Sequence, residues 1–179
     1  MNTKACFESG SVKVGPPRLG DVTLVAVDGP SGSGKSTLAD ELAVDLDAVI
    51  IRTDDFATWD DPVAWWPRLR DGVLEPLAHG RPGTYTRTEW SDGVPRPGAV
   101  ITVNPPKVLL LEGVSAGRRS VRRLLSALVW RELPDRTERL ERAVARDGEA
   151  SRAPLTAWQR FEDGWFAVDG TETAADHRM

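Results

Sequence analysis

Cysteine is nearly absent from this chain of 179 residues, which contains only Cys6. One cysteine cannot form a disulfide within the chain, and it cannot build a zinc site from several thiolates. A chain without disulfides fits a reducing compartment, so we expect a cytoplasmic protein.

Excess positive charge and long apolar runs are also missing. The 23 Lys and Arg residues are outnumbered by 27 Asp and Glu residues, whereas a general nucleic-acid-binding protein needs a surplus of basic side chains. No segment approaches the roughly 20 apolar residues of a membrane span, and residues 1–20 lack the continuous apolar stretch of a signal peptide. We therefore expect small-molecule partners, with no nucleic acid and no membrane. The oligomeric state is not specified by the sequence.

What the chain does contain is an alternation of strand and helix patterns. Short apolar runs typical of buried parallel strands lie at residues 22–27, 48–51, 107–111 and 128–130. Leu38, Leu42 and Leu46 recur every four residues and predict an amphipathic helix, and further helices are predicted at residues 120–126 and 134–146. In a chain of one domain's length, this alternation predicts a three-layer α/β fold in which helices flank a mostly parallel central sheet.

Two segments fall outside this alternation. Residues 1–20 are rich in Gly, Pro and Lys without periodicity, which predicts a flexible leader before a single domain at residues 21–179. Residues 60–103 are rich in proline and, counting from Trp59, contain four of the seven tryptophans. They also include an alternating polar and aromatic stretch. These features predict an inserted segment that is partly helical and partly a hairpin.

The loop after the first strand matches the phosphate-binding motif G-x-x-x-x-G-K-[ST]. Its residues are Gly29, Pro30, Ser31, Gly32, Ser33, Gly34, Lys35 and Ser36, followed by Thr37. Glycines let the backbone curl so that successive N–H groups point at an anion, and the next helix N-terminus adds partial positive charge. Lys35 is placed to reach the β and γ phosphates of a nucleoside triphosphate, and the Ser36 hydroxyl to ligate Mg²⁺. The alternative is a turn that merely joins a strand to a helix.

Carboxylates follow two other strands at the same edge of the predicted sheet. Glu112 ends the third strand, where it could hold Mg²⁺ directly or through water, or could be a solvated strand-end carboxylate. Asp54 and Asp55 follow the second strand, where either could accept the proton of an acceptor hydroxyl or cap a helix. The N-K-x-D and D-x-x-G motifs of GTPase switches are absent. This pattern favours phosphoryl transfer.

Three of these segments together resemble the uridine kinase and phosphoribulokinase group of P-loop kinases. They are the phosphate loop, the stretch Asp54-Asp55-Phe56, and the stretch Leu109-Leu110-Leu111-Glu112-Gly113. The resemblance covers about residues 22–168 and implies that Asp54, the strand-end aspartate that precedes x-Phe, is the catalytic base. It also implies a helical lid, at about residues 142–155, in which Arg146 and Arg152 clamp the donor phosphates.

The lid residues allow a second interpretation. Arg139, Arg142 and Arg146 share one helix face and Glu138 is placed to pair with Arg142, so a solvated, salt-bridged face explains the pattern equally well. Stacked like charges repel one another unless an anion relieves them, which favours phosphate contact. Both interpretations stay open. The basic run at residues 118–123 is typical of a solvated helix face and is assigned no function.

The acceptor is expected between Asp54 and the inserted segment. Side chains there that could stack on a ring or bond a sugar are Trp59, Trp65, Trp66, Tyr85, Arg87 and Trp90. Aromatic residues also commonly fill a core, which is the alternative. Thr88-Glu89-Trp90 departs from the Tyr-Asp-Phe-like stretch that meets the nucleoside in uridine kinases, because Thr replaces Tyr. The short polar tail after Asp169 indicates a sheet without its last strand or a shortened chain.

The sequence thus predicts a Mg²⁺-dependent P-loop kinase that moves the γ-phosphate of ATP, or of GTP, to a hydroxyl of a small acceptor. A nucleoside is the expected acceptor class, and Lys35 and Asp54 are the expected catalytic residues. The alternative is a nucleotide-binding sensor or weakly catalytic P-loop module whose Trp-rich insertion binds a protein partner. An enzyme would depend on Asp54, whereas a sensor would not.

Overall fold

The computed structural model describes residues 7–9, 12–91 and 93–179. Its strands are β1 (Phe7–Ser9), β2 (Val12–Val14), β3 (Thr23–Asp28), β4 (Val49–Arg52), β5 (Gly83–Ser91), β6 (Val94–Val103), β7 (Val108–Glu112), β8 (Ala127–Trp130) and β9 (His177–Arg178). Its α-helices are α1 (Lys35–Leu46), α2 (Trp66–Leu69), α3 (Glu75–Ala78), α4 (Arg136–Asp147), α5 (Arg152–Asp169) and α6 (Thr171–Ala174). Single turns of 3-10 helix cover Thr53–Asp55, Arg122–Leu124 and Glu149–Ser151, and a π-helical turn covers Arg70–Leu74. Among the described residues, no helix has both the length and the apolar character that crossing a membrane requires.

The centre of the molecule is a five-stranded sheet with the strand order β4-β7-β3-β8-β9. Every neighbouring pair in it is parallel. All residues of β3 and β7 are buried, as expected of strands covered on both faces. The structure confirms the predicted α/β fold with a mostly parallel sheet.

The two faces of β3 face two different apolar cores. Leu24 and Ala26 pack with Phe56 and with residues of the inserted segment such as Trp65. Val25 and Val27 pack on the opposite side, where α1 contributes Leu38, Ala39 and Leu42. The alternation follows from strand geometry, because successive side chains point to opposite faces of a sheet. The periodic leucines that predicted α1 therefore supply one complete layer of the fold.

The predicted leader is only partly covered by the described residues, since Cys6 and residues 1–5, 10 and 11 lie outside them. From Val12 onward the chain is packed rather than loose. Val12 and Val14 are buried in the same core as α1. The Gly15 N–H donates to the Ser126 carbonyl at 2.9 Å. No periodic pattern marks this segment in the sequence, because β2 is only three residues long.

The inserted segment at residues 60–103 contains α2, the π-helical turn, α3 and an antiparallel hairpin formed by β5 and β6. Trp65 and Trp66 are buried in its core, so packing is the observed role of these two tryptophans. The insertion is tied to the last long helix by Arg118. Its guanidinium carbon lies 5.2 Å from the centre of the Trp66 ring and 5.1 Å from that of Trp165 in α5, distances typical of cation–π contacts.

Two elements differ from expectation near the end of the chain. The helix predicted at residues 120–126 is a single turn, because the chain already joins the sheet at Ser126, whose N–H donates to the Leu24 carbonyl at 2.7 Å. The sheet does have a last strand, β9, which pairs with β8. Its two residues, His177 and Arg178, are polar and lie at the sheet edge, so no apolar run marks them in the sequence.

We predict that Val14→Ala lowers the free energy of unfolding by about 1–3 kcal/mol, because it removes two buried methyl groups and leaves a cavity. Urea denaturation followed by circular dichroism measures the change. Lys13→Ala is the matched control, since the side chain of Lys13 in the same strand is exposed, and we expect it to change stability by less than about 0.5 kcal/mol. Equal, small effects of the two substitutions would show that β2 does not belong to the core.

Candidate active site

The phosphate loop lies between β3 and α1 and depends on two close backbone approaches. Gly29 has a φ of +144° and Gly32 a φ of +78°, which side-chain-bearing residues rarely adopt. A Cβ atom on Gly29 would lie 2.2 Å from the Arg131 carbonyl oxygen, and one on Gly32 would lie 2.2 Å from that of Arg139. These glycines are therefore needed both for the curl of the loop and for its packing.

Lys35 begins α1 and is almost completely buried. Its ammonium group donates to the Pro30 carbonyl at 3.0 Å, so the side chain folds back over the loop. The N-terminus of α1 and this cation face the same space, which is the arrangement that binds phosphate groups in nucleotide sites. Ser36 and Thr37 follow in the first turn of the helix.

A cavity of about 730 Å³ opens beside the loop, and most of the predicted site residues line it. From the loop and α1 it is lined by Ser31, Gly32, Gly34, Lys35, Ser36 and Thr37, and from elsewhere by Asp54, Trp59, Trp90, Glu112, Arg142, Arg146 and Trp158, among others. Gly29, Pro30 and Ser33 do not line it. Tyr85, Arg87 and Arg152, which were also predicted to contact substrates, are not part of its wall.

The two aspartates after β4, Asp54 and Asp55, have different surroundings. Asp54 is exposed and lines the cavity. Asp55 accepts a hydrogen bond from the Tyr85 hydroxyl at 2.6 Å and pairs with the Arg87 guanidinium at 3.2 Å. Burial, with the Asp55 bond, raises the pKa of Tyr85 above its ordinary value. Both aspartates lie within the 3-10 turn at Thr53–Asp55 rather than before it, so neither caps a helix.

Glu112 lies next to the start of α1 at the end of β7. The Ser36 hydroxyl donates to Glu112 Oε1 at 3.4 Å, and Arg52 Nη1 donates to Oε2 at 2.8 Å. Arg52 also bonds Asp40 in α1 at 2.7 Å. Arg52 was not among the site residues predicted from the sequence, although its position at the end of β4 could have indicated it.

The hydroxyl of Ser36 and the carboxylate of Glu112 are a donor pair that suits Mg²⁺. Both are hard oxygen ligands, and Mg²⁺ usually binds one or two protein groups together with phosphate oxygens and water. Among residues 7–9, 12–91 and 93–179, no group of three or more His, Cys, Asp and Glu side chains forms a metal site. Two hard oxygen donors suit a Mg²⁺ ion that takes its remaining ligands from a nucleotide and from water.

The lid arginines fall into two groups. Arg142 and Arg146 line the cavity. The hydrogen bonds of Arg146 with Asp147, at 2.6 and 2.7 Å, raise the pKa of Arg146, and the charges of Asp54 and Glu112 add to this. Arg152 instead pairs with Glu141 at 2.6 Å and with Glu149. The ion pairs with Glu141 and Glu149 thus account for the position of the Arg152 side chain. Arg146 instead lies near Asp54 and Glu112, the predicted base and metal ligand.

Three tryptophans form an aromatic wall on the cavity, which consists of Trp59, Trp90 and Trp158. The ring of Trp59 makes edge-to-face contacts with Trp90, at a centroid distance of 5.2 Å, and with Trp158, at 6.0 Å. Trp59 and Trp90 are about two-fifths exposed, so part of each side chain is accessible to solvent. Tyr85 is instead buried and stacks on Phe56 at 4.7 Å. The sequence analysis did not select Trp158, because it belongs to a helix far along the chain.

Two buried carboxyl groups beside the loop were also missed. Asp28, at the end of β3, accepts hydrogen bonds from the N–H groups of Gly29 at 2.7 Å, Ser115 at 3.2 Å and Gly117 at 2.8 Å. It thereby joins the phosphate loop to the loop that follows Glu112. Burial raises the pKa of Asp28 to about 7. The second group is Glu162 in α5, which accepts hydrogen bonds from Ser31. In the sequence, Asp28-Gly29 signalled only a turn.

We predict that Asp28 makes stability decrease as the pH rises. Because its folded-state pKa of about 7 lies above the ordinary value of 3.8, the folded chain keeps a proton that the unfolded chain has lost. The contribution is complete below pH 4 and is lost as the pH approaches 7, with a slope of at most about 1.4 kcal/mol per pH unit. Urea unfolding of the wild type and of Asp28→Asn between pH 5 and 8 isolates this slope by difference. A constant difference between the two proteins would contradict the prediction.

Comparison with known proteins identifies the fold through structure rather than sequence. No protein-family model matches the chain, and no curated protein matches it in sequence. A protein designated a possible uridine kinase, from Bacillus stearothermophilus, is 17% identical and superposes with a TM-score of 0.62, with 88% of each chain covered. A protein designated a fructose transport system kinase, from Silicibacter sp. TM1040, is 22% identical with a TM-score of 0.56, over 88% of this chain and 89% of that one. The chain therefore has the fold of the P-loop kinases of the uridine kinase type, as its motifs predicted.

Proposed function

We propose that this protein is a kinase that transfers the γ-phosphoryl group of ATP, or of GTP, to a hydroxyl group of a nucleoside. The observation that carries the proposal is that the phosphate loop, Asp54 and Glu112 line one cavity. A P-loop alone serves switches, motors and kinases alike. A carboxylate that faces the end of the loop across an open cavity is the additional part that transfer to a hydroxyl requires.

The loop and α1 would bind the donor phosphates. The backbone N–H groups at the start of α1 and the Lys35 ammonium supply positive charge, which stabilises the negative charge that develops on the transferred group. Ser36 and Glu112 would hold Mg²⁺, which neutralises phosphate charge when it is bound. Lys35 would leave the Pro30 carbonyl, since phosphate oxygens are stronger acceptors for an ammonium group.

Asp54 would orient the acceptor hydroxyl and accept its proton as it attacks the γ-phosphorus. Asp55 is unsuited to this step, because Tyr85 and Arg87 already occupy its oxygens. Arg142 and Arg146 would contact the donor phosphates from the lid side of the cavity. Arg152 has no part in this proposal, because its side chain does not line the cavity and pairs instead with Glu141 and Glu149.

The aromatic wall supports a nucleoside acceptor. The three tryptophans line the cavity together with the small residues Ala57, Thr58 and Gly93, whereas the basic side chains that line it come from α1 and α4. Among the described residues, this wall offers no cation to bind a phosphate or carboxylate group of an acceptor. An uncharged ring that stacks on tryptophan fits such a wall better than a sugar phosphate or pantothenate.

A panel of acceptors tests the proposal directly. We expect release of ADP from Mg²⁺-ATP to rise well above the rate without acceptor when a nucleoside is added, and to rise much less with sugar phosphates or pantothenate. A coupled assay of ADP measures this. Stimulation only by the anionic acceptors would contradict the nucleoside assignment, and no stimulation by any acceptor would contradict transfer to a small molecule.

Asp54→Asn separates an enzyme from a nucleotide-binding sensor. Loss of a general base typically lowers turnover by about 10²- to 10⁴-fold, and we expect a loss in this range, with the dissociation constant for ATP nearly unchanged. Turnover and calorimetric titration with ATP are measured in parallel. Asp60→Asn is the control, because Asp60 is an exposed carboxylate on the same segment and accepts a hydrogen bond from the Thr58 hydroxyl at 2.9 Å. Equal turnover of the Asp54 variant and the control would favour a sensor.

A further inference from the structure

The buried carboxylate of Glu162 bonds the phosphate loop from the far end of the chain. Glu162 lies in α5 and is 1% exposed. The backbone N–H of Ser31 lies 3.1 Å from both of its oxygens. The Ser31 hydroxyl also donates to Oε1 in a very short hydrogen bond. One side chain therefore satisfies both donors of a single loop residue.

Trp158 lies one helical turn before Glu162 in α5 and bonds both Glu162 and Ser31. Its indole N–H lies 2.6 Å from Glu162 Oε1 and 3.1 Å from the Ser31 hydroxyl oxygen. The ring of the same tryptophan lines the cavity and meets Trp59 edge to face. The position of Glu162 thus fixes both a residue of the phosphate loop and a residue of the aromatic wall.

A carboxylate in this place is costly unless it serves the site. Burial raises the pKa of Glu162, while the charge of Lys35 and the bonds from Ser31 and Trp158 oppose the shift. A core position that only needed filling would be served by an apolar side chain, because desolvating a carboxylate is unfavourable. A bound triphosphate would bring further negative charge close to it. Desolvation and repulsion from a bound triphosphate are therefore both unfavourable for Glu162, and its hydrogen bonds to Ser31 offset them.

We propose that Glu162 is a positioning residue that holds the first half of the phosphate loop in its nucleotide-binding shape. It acts through hydrogen bonds to Ser31, with Trp158 keeping the carboxylate in place. This inference rests on the proposed function only in taking the loop as the nucleotide site. It assigns to α5, a helix outside the phosphate-binding motif, a direct part in nucleotide affinity.

Two substitutions separate the hydrogen bonds from the charge. Glu162→Gln removes the charge but keeps an oxygen that can accept from Ser31 and Trp158. Glu162→Ala removes both. Since both variants lack the negative charge, the difference between them reports the hydrogen bonds together with the packing of the side chain. We expect Glu162→Ala to bind nucleotide about 10- to 100-fold more weakly than Glu162→Gln, the range expected when two or three neutral hydrogen bonds are lost.

The experiment is calorimetric titration of the full chain with Mg²⁺-ADP and with a non-hydrolysable ATP analogue, at a temperature where circular dichroism shows every variant to be folded. Asp163→Asn is the matched control. It makes the same carboxylate-to-amide change at the next position of α5, where the side chain is exposed and pairs with Arg136 at 2.7 Å. We expect the control to bind as the wild type does.

Trp158→Phe keeps the proposal testable if Glu162→Ala does not fold. It retains an aromatic ring but removes the N–H that holds the carboxylate, and we expect weaker nucleotide binding with Glu162 intact. Equal affinities of Glu162→Ala and Glu162→Gln would overturn the proposal, as would unchanged affinity in Trp158→Phe or a wild type that binds neither nucleotide. Because binding is measured without an acceptor, failure of phosphoryl transfer alone would contradict only the proposed function.

Discussion

The parallel register of three strands is the constraint on which the site depends. Glu112 at the end of β7 pairs with Val27 of β3 on one side and with Arg52 of β4 on the other. The phosphate loop leaves β3 one residue later, and the turn that contains Asp54 leaves β4 immediately after Arg52. Because parallel strands end at the same edge of a sheet, the loop, Glu112 and Asp54 meet there. A shift of one residue in either pairing would turn Glu112 to the opposite face.

This edge of the sheet was predictable because each part of it has a local signal. Apolar runs mark the strands, Gly29 to Ser36 fit a motif whose spacing reflects the geometry of phosphate binding, and Asp54 and Glu112 stand where strands end. Alternation of strand and helix patterns then gives the order of the layers. Such signals lie within a few residues of one another, so they do not depend on knowing the tertiary structure.

The rest of the site could not be read in this way, because its contacts join distant parts of the chain. Glu162 and Trp158 belong to an ordinary-looking helix, and nothing near them in sequence shows that they contact Ser31, more than 120 residues away. The lid arginines are a second example of positions that depend on the tertiary structure. The resemblance to the uridine kinase group implied that Arg146 and Arg152 act together as clamps, yet the turn at Glu149–Ser151 separates them into two helices. Arg152 then meets Glu141 rather than the cavity.

Arg118 between Trp66 and Trp165 has a consequence for the geometry of the cavity. The two rings belong to the insertion and to α5, and the guanidinium also donates to the Val63 carbonyl at 2.9 Å. Burial lowers the pKa of Arg118, as expected of a guanidinium that is partly removed from water. The insertion and the helix that follows the lid are consequently fastened to each other. Because Trp90 belongs to the insertion and Trp158 to α5, this contact also contributes to the spacing between two tryptophans of the aromatic wall.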